Sequence, residues 1–180
     1  MRKVVLIMTA SLDGYVEAPD GTPAGGLHEP AELKRWKLER IRRAGTHIMG
    51  RVTYGGMAKT WPESKDDYAA PMNDIPKVVF SKTLKEANWP QSSIASGDLA
   101  DEIMALRKQP GGEIIAWGGA GFAQALSRAH LIDEYVIVTQ PVAYGSGKPL
   151  FLNLKEAIQL EPLATTAYAN GTLLRQFRTQ

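Results

Sequence analysis

Three short stretches carry residue types that could hold an anion. Gly50-Arg51-Val52-Thr53, Ser81-Lys82-Thr83 and Gly118-Gly119-Ala120-Gly121 each follow an apolar run and combine small, hydroxylated or cationic residues. Where such a run is a buried strand and the turn after it opens a helix, free backbone N–H groups and the helix dipole favour negative charge. Glycines let backbone approach a pyrophosphate, and Arg51 and Lys82 could add the cations that a ribose 2′-phosphate requires. Together these features favour NADPH over NADH as the ligand. Two readings of the glycine run stand side by side: a phosphate cradle flanked by Trp117 and Phe122, or tight strand-to-helix packing with no ligand. Its spacing is not the G-x-G-x-x-G of the common dinucleotide fold, so a bound dinucleotide calls for a different α/β architecture.

The elements that must position these turns follow from composition and pattern. The chain has 180 residues, 44% of them hydrophobic, enough for one well-filled core, and the expectation is a single domain over 1–180. With 21 basic and 19 acidic residues the net charge is +2, which offers no field of the size nucleic acid needs. There is no cysteine, which excludes disulfides, thiolate nucleophiles and Cys-ligated metals. His28, His47 and His130 share no metal-ligand spacing, so no metal is expected. The opening MRKVVLIMTASLDG has an apolar run too short for a signal peptide, and no segment is long and apolar enough for a membrane helix. The expectation is a cytoplasmic protein with a small-molecule substrate and neither nucleic acid nor membrane as partner.

Strand-like runs alternate with amphipathic helices for most of the length. Strands are expected at 3–10, 46–50, 77–81, 92–96, 113–119 and 134–143. Pro30 opens a helix that Gly45 would end in a left-handed cap. A short helix should follow Arg51, and 62–76 reads as an exposed connection. Asp98 caps a helix with Leu99, Ile103 and Leu106 on one face, and the helix after Gly121 places Phe122, Ala125, Leu126 and Ala129 along a core stripe. Two extended runs around Asn170-Gly171 signal an antiparallel hairpin. A mostly parallel α/β sheet therefore finishes in an antiparallel pair.

The segments IMGRVTY, VVFSKTL, IIAWGGAGFAQAL and YVIVTQPVAYGSGKPLF, in this order and spacing, resemble the dihydrofolate reductase superfamily. MTASLDGYVEAPDG and GSGKPLF resemble especially its bacterial branch related to the riboflavin-biosynthesis reductase domain. The resemblance covers nearly the whole chain. It implies a dihydrofolate reductase-like three-layer α/β sandwich with about eight strands and NADPH extended across the strand ends. Carried over, it puts Gly50, Arg51, Val52 and Thr53 in the phosphate-binding turn, with Arg51 near the adenosine 2′-phosphate. Phe80, Ser81, Lys82 and Thr83 would flank the adenine ribose. Gly118 and Gly119 match a pair that is joined by a cis peptide in the family, and Thr9, Ala10 and Val16 match positions touching the nicotinamide.

On the substrate side the resemblance places Glu32 under the substrate ring with Trp36 one turn later on the same face, and Tyr54 and Met57 along the pocket. Glu32 could handle a proton if burial raised its pKa, or it is simply a first-turn acid favoured by the helix dipole. Asp13 is a second acidic candidate, or an Asp-Gly turn residue. Thr139 matches a hydroxyl that reaches the pocket, or is a plain strand residue. Two departures matter. Where the folate-clamping arginine should stand the chain has Ile75, Pro76 and Lys77, and Thr53-Tyr54-Gly55-Gly56 departs from the segment of the riboflavin enzymes. The sequence thus points to an NADPH-dependent reductase of a small heterocyclic (pterin- or pyrimidine-like) or carbonyl-like substrate. The pyrimidine reductase of riboflavin synthesis and a non-catalytic nucleotide-binding module are the alternatives. A homodimer is implied by the resemblance.

Overall fold

A computed structural model describes residues 1–26 and 29–180, so His28 lies outside the described residues. The chain opens with β1 (Val4–Ala10) and β2 (Tyr15–Glu17), then a 3-10 turn at Ala24–Gly26. There follow α1 (Ala31–Ile41), β3 (Ala44–Gly50), α2 (Arg51–Thr60), α3 (Ala69–Asp74), β4 (Lys77–Phe80) and β5 (Ser92–Ala95). Next come α4 (Leu99–Lys108), β6 (Glu113–Trp117), α5 (Ala120–Arg128), β7 (Glu134–Thr139) and the two-residue β8 (Lys148–Pro149). The hairpin strands β9 (Leu160–Ala167) and β10 (Leu173–Thr179) end the chain.

Eight strands form one sheet in the order β5-β4-β3-β6-β1-β7-β10-β9, and β2 pairs with β8 in a separate ribbon. The first six of that order run parallel; β10 is antiparallel to both β7 and β9, as the Asn170-Gly171 signal predicts. Both faces of the parallel part are covered, which is why its strands read as continuous apolar runs. Alternation along β1 sends Val4, Leu6 and Met8 to one core, with Ile103 of α4 and Leu126 of α5, and sends Val5 and Ile7 to the other, with Leu33 of α1 and Met72 of α3. Arg40 of α1 ties these layers at the sheet's opposite end, its guanidinium donating to Glu113 at 2.7 and 3.0 Å and to Glu134 at 3.0 Å.

Three local expectations are corrected. Helix α1 stops at Ile41, where the i→i−4 ladder ends and the Arg43 N–H turns to the Arg40 carbonyl at 3.2 Å, and Gly45 lies inside β3 with no left-handed φ. Glycine is needed there for close approach: a Cβ would stand 2.7 Å from the Gly112 backbone nitrogen. The stretch 62–76 is not merely an exposed connection, since it contains α3, whose Ala69, Pro71 and Met72 are buried. In α5 the buried face is Ala120, Ala123, Gln124, Leu126 and Ser127, while Ala129 is exposed. The polar pair conceals that face in the sequence, yet both side chains are satisfied: Gln124 donates to the Pro149 carbonyl at 2.7 Å, and the Tyr135 hydroxyl donates to Ser127 at 3.0 Å.

The end of α3 is held by an unusual cap. Lys77 is fully buried, and its ammonium donates to the carbonyls of Met72 (3.0 Å), Asn73 (2.6 Å) and Ile75 (2.9 Å) while standing 4.6 Å from the Trp89 ring centroid. Burial pulls its pKa down to about 8. All three ammonium hydrogens are committed, so Lys77 has none left for a carboxylate ligand. Replacing it, Lys77→Met, strands three carbonyls in the core and is expected to cost about 3 kcal/mol in urea unfolding; a loss under about 1 kcal/mol would contradict the cap.

Candidate active site

The three turns singled out in the sequence converge at one end of the sheet. Parallel register places Gly50 beside Phe80, Met49 beside Trp117, and Trp117 beside Ile7, so the turns after β3, β4 and β6 and the last residues of β1 share one edge. Ligands in open α/β sheets occupy this edge. Three connected recesses run along it. The central one, about 750 Å3, is lined by Gly50 to Thr53, Phe80 and Gly119 to Phe122. Beyond Phe80 and Phe122 lies a recess of about 320 Å3 bearing Ser81 and Lys82. On the other side, across Val52, Thr53, Gly119 and Ala120, a chamber of about 420 Å3 is lined by Thr9, Val16, Met57, Trp117 and Gly118.

The chemistry of the central recess lies in two helix starts. Helices α2 and α5 both begin at it, with Gly50 and Gly119 in extended conformation as N-caps and no side chain capping either. By contrast α4, which starts at the recess bearing Ser81 and Lys82, has Asp98 accepting from the N–H groups of Ala100 and Asp101. Two sets of first-turn N–H groups therefore face a common space without a side-chain acceptor, a pairing suited to phosphate oxygens. Arg51 stands exposed at the same rim. The glycines divide their work. A Cβ on Gly118 would sit 2.0 Å from the Met8 sulfur, so that glycine serves packing, whereas a Cβ on Gly121 meets nothing within 4 Å, leaving open space in the recess.

Several expected site residues stand elsewhere. Among the described residues there is no cis peptide, so the Gly118–Gly119 bond is trans, with Gly119 at φ −99 and ψ 156 leading directly into α5. Asp13 cannot serve as a proton donor near neutral pH: its carboxylate accepts from the Ser11 hydroxyl at 2.6 Å, the Gly145 N–H at 2.7 Å and the Tyr144 N–H at 3.1 Å, and these bonds hold its pKa down to about 2. It pins the 11–14 turn to the loop after β7. Glu32 is exposed in the first turn of α1 rather than buried beneath a ligand, and it does not line the recesses. Thr139 is almost fully buried, and its hydroxyl accepts from Arg175 at 2.7 Å on the sheet face of Tyr135 and Ile137, opposite to α1.

Tyr54 is core: its hydroxyl oxygen accepts from the Trp89 N–H at 2.9 Å. Trp36 packs against the same core without lining a recess, and Ala10, at the end of β1, is buried in the core on the opposite face of the sheet. Thr83 lies just past the adenine-side recess, its N–H donating to Ser81 Oγ at 3.2 Å. Sequence reasoning missed Glu17, Gly147 and Lys148, which close the central recess from above through the β2–β8 ribbon and a Lys148–Glu17 ion pair. It also missed Lys37, a lining residue of the chamber, and His47 behind Trp117. An amphipathic reading of α1 could have flagged Lys37, one turn from Leu33 and Ile41.

His47 sets the chamber floor. The Trp117 indole N–H donates to His47 Nδ1 at 3.0 Å, so the proton of the neutral ring is on Nε2, which faces the Pro71 carbonyl at 3.3 Å. Burial pulls the His47 pKa down to about 4 against the pull of that carbonyl, and the Lys77 charge adds to the fall. Among the described residues no group of three or more His, Asp or Glu is placed to hold a metal ion. His130 is exposed, with the Glu156 carboxylate 3.6 Å from its Nε2.

The sheet order and the three-layer arrangement define a dihydrofolate reductase-like α/β protein. The dihydrofolate reductase of Enterococcus faecalis, solved with NADP(H), superposes at a TM-score of 0.67 with 17% identity, over 99% of this chain and 96% of that one. A putative riboflavin biosynthesis protein from Shewanella sp. PV-4 superposes at 0.80 with 22% identity, over 100% and 99%. Residues 2–174 match the RibD C-terminal domain family, and the chain belongs to it. YyaP, an uncharacterized protein of Bacillus subtilis (strain 168), is 25% identical over 177 residues, 96% of this chain and 92% of that protein. No helix among the described residues is long and apolar enough to cross a membrane.

The neutral state of His47 has a consequence for stability. Between about pH 6.5 and about pH 4 the unfolded chain takes up a proton at this residue that the folded chain refuses. Stability is therefore full above that window and falls through it as pH drops, by about 3 kcal/mol at the lower end. Asp13 acts lower, its contribution fading from about pH 4 to about pH 2. Urea midpoints at about pH 7 and about pH 4.5 should show a steeper loss for the native sequence than for His47→Gln; equal losses would remove His47 as the cause.

Proposed function

We propose that the protein is an NADPH-dependent reductase, a single domain over 1–180, acting on a small heterocyclic (pterin- or pyrimidine-like) or carbonyl-like molecule. The observation that carries this reading is the meeting of two uncapped helix N-termini and Arg51 at one recess, continuous on either side with a second and a third. The backbone N–H groups at the starts of α2 and α5 would take the diphosphate. Arg51 and Lys82 would bind the ribose 2′-phosphate, and the Phe80–Phe122 pair, with centroids 5.2 Å apart, would border the adenine. Thr9, Val16 and Gly118 would border the nicotinamide. Reduced nicotinamide, when bound, supplies a hydride. The chain's own part is to hold the acceptor against the end of β1 on a floor of Trp117 and to keep bulk water from the chamber.

Membership of the RibD C-terminal domain family supports a reductase-like role, and the cofactor of the Enterococcus faecalis neighbour supports the choice of nucleotide. Lys77, near the position expected of a folate-clamping cation, is spent on carbonyls, which argues against a folate tail as part of the substrate. A second reading, a nucleotide-binding module without turnover, draws on the absence of Asp13 and Glu32 from the chamber.

Titration with NADPH followed by fluorescence should saturate, and Arg51→Ala should weaken NADPH about tenfold, near 1.4 kcal/mol, while changing NADH affinity by less than about twofold. No saturable binding of either nucleotide would overturn the reading. NADPH binding without oxidation by any pterin, pyrimidine or carbonyl compound would favour the module. The same reading includes a second copy of the chain along the outer edge of β9, where Leu163 is exposed. Light scattering should then give about twice the 19.7 kDa chain mass, and a monomer mass at working concentration would remove the dimer.

A further inference from the structure

The chamber beside Trp117 holds a cation that neither the fold nor the phosphate turns require. Lys37 projects from the middle of α1 into a space walled by Ile7, Val16, Val52, Met57 and Trp117. Its side chain is 15% exposed, and among the described residues its ammonium makes one bond, to the Glu29 carboxylate at 2.6 Å. An ammonium has three donors, so two remain without an acceptor among the described residues in a mostly apolar space. Burial of a lysine with unused donors is costly, and an acceptor arriving from the ligand offsets that cost.

The support behind Lys37 is built to keep it in place. The second oxygen of Glu29 accepts from the Tyr68 hydroxyl at 3.0 Å, and burial, with Glu29 next, raises the Tyr68 pKa so that this hydroxyl stays a donor. Tyr68 begins the segment leading into α3, so the carboxylate is clasped from two elements. The only other charged residue lining the chamber, among the described residues, is Glu17, which is occupied by Lys148. Lys37 and Glu29 cancel in charge. A fully charged carboxylate or phosphate would therefore find a hydrogen-bonding site with no net positive charge, whereas a neutral, polarised oxygen finds two donors and no unpaired anion.

We infer that the substrate is a flat, uncharged ring compound of one or two rings, bearing a carbonyl oxygen that accepts hydrogen bonds from Lys37 while the ring lies against Trp117. This rests on the reductase reading above and names the substrate class for that site. The volume agrees: about 420 Å3, part of it taken by the nicotinamide, leaves room for a one- or two-ring molecule and no long tail. The bonds from Lys37 also stabilise negative charge on that oxygen as it develops during reduction, which is where a cation is most effective.

The test measures binding in the presence of saturating NADP+, so that no turnover occurs. The probe is 1,4-naphthoquinone, with naphthalene (no carbonyl) and 2-naphthoate (full charge) as matched controls, followed by calorimetry. The absence of cysteine removes thiol addition by the quinone as a complication. We expect the quinone to bind at least about tenfold more tightly than either control, and Lys37→Met to erase that preference. Lys37→Arg should keep part of it, and Lys34→Met, which removes a surface lysine paired with Asp66 and Asp67, should leave it intact. Equal binding of quinone and naphthalene, tighter binding of naphthoate, or a preference that survives Lys37→Met would overturn the inference. NADP+ affinity, measured on every variant, separates the two proposals. If the nucleotide fails to bind, the reductase reading falls; if it binds equally to all variants and the quinone does not bind, only the substrate assignment falls. Thermal unfolding of Lys37→Met and Lys37→Arg establishes that both are folded, so a lost preference in Met that Arg restores is attributable to the ammonium.

Discussion

The arrangement depends on the parallel register of β4, β3, β6 and β1. Because Gly50 lies beside Phe80, Met49 beside Trp117, and Trp117 beside Ile7, four segments far apart in sequence finish at one edge of the sheet. A slip of one residue in any pair would turn Met49 or Ile115 out of its core and would also carry a turn away from the cleft. Burial on both faces thus enforces the geometry of the site. The close contacts of Gly45 with Gly112 and of Gly118 with Met8 belong to the same constraint, since they fix how near β3, β6 and β1 can lie.

Polar groups behind the cleft are handled in two contrasting ways. Lys77 is fully satisfied by three carbonyls, and neutral His47 is satisfied by Trp117 and Pro71; both are interior fittings whose bonds end within the protein. The first turns of α2 and α5, and the ammonium of Lys37, keep donors without protein acceptors at the cleft. At the cleft, local consistency is relaxed for donors. The central recess accordingly favours an anion, and the chamber beside Trp117 a neutral oxygen acceptor.

The acidic candidates show why residue type and neighbourhood in sequence are weak guides to proton chemistry. Asp13 looks free in a Ser-Leu-Asp-Gly turn, but its carboxylate is bound by N–H groups of residues 144 and 145, more than a hundred positions away. Glu32 sits where a first-turn acid favours the helix dipole and stays at the surface. Whether a carboxyl is buried, bonded or bare depends on what the rest of the fold brings to it, and that decides its role.

The sequence alone determined the strand and helix alternation, the Asp98 cap, the Asn170-Gly171 hairpin and the three anion-ready turns, because each is written in contiguous residues through periodicity, capping or turn chemistry. It left α3 hidden, since a six-residue helix containing Pro71 has little local propensity and is secured by a lysine that lies beyond it. It misjudged the inner face of α5, where Gln124 and Ser127 are buried because distant partners satisfy them. Only the tertiary structure decided that Lys37 lines the chamber, that His47 braces Trp117 and that Thr139 faces away from α1. Those facts rest on contacts across 8 to 70 positions of chain, and the distances they span exist only after the sheet has closed on both layers of helices.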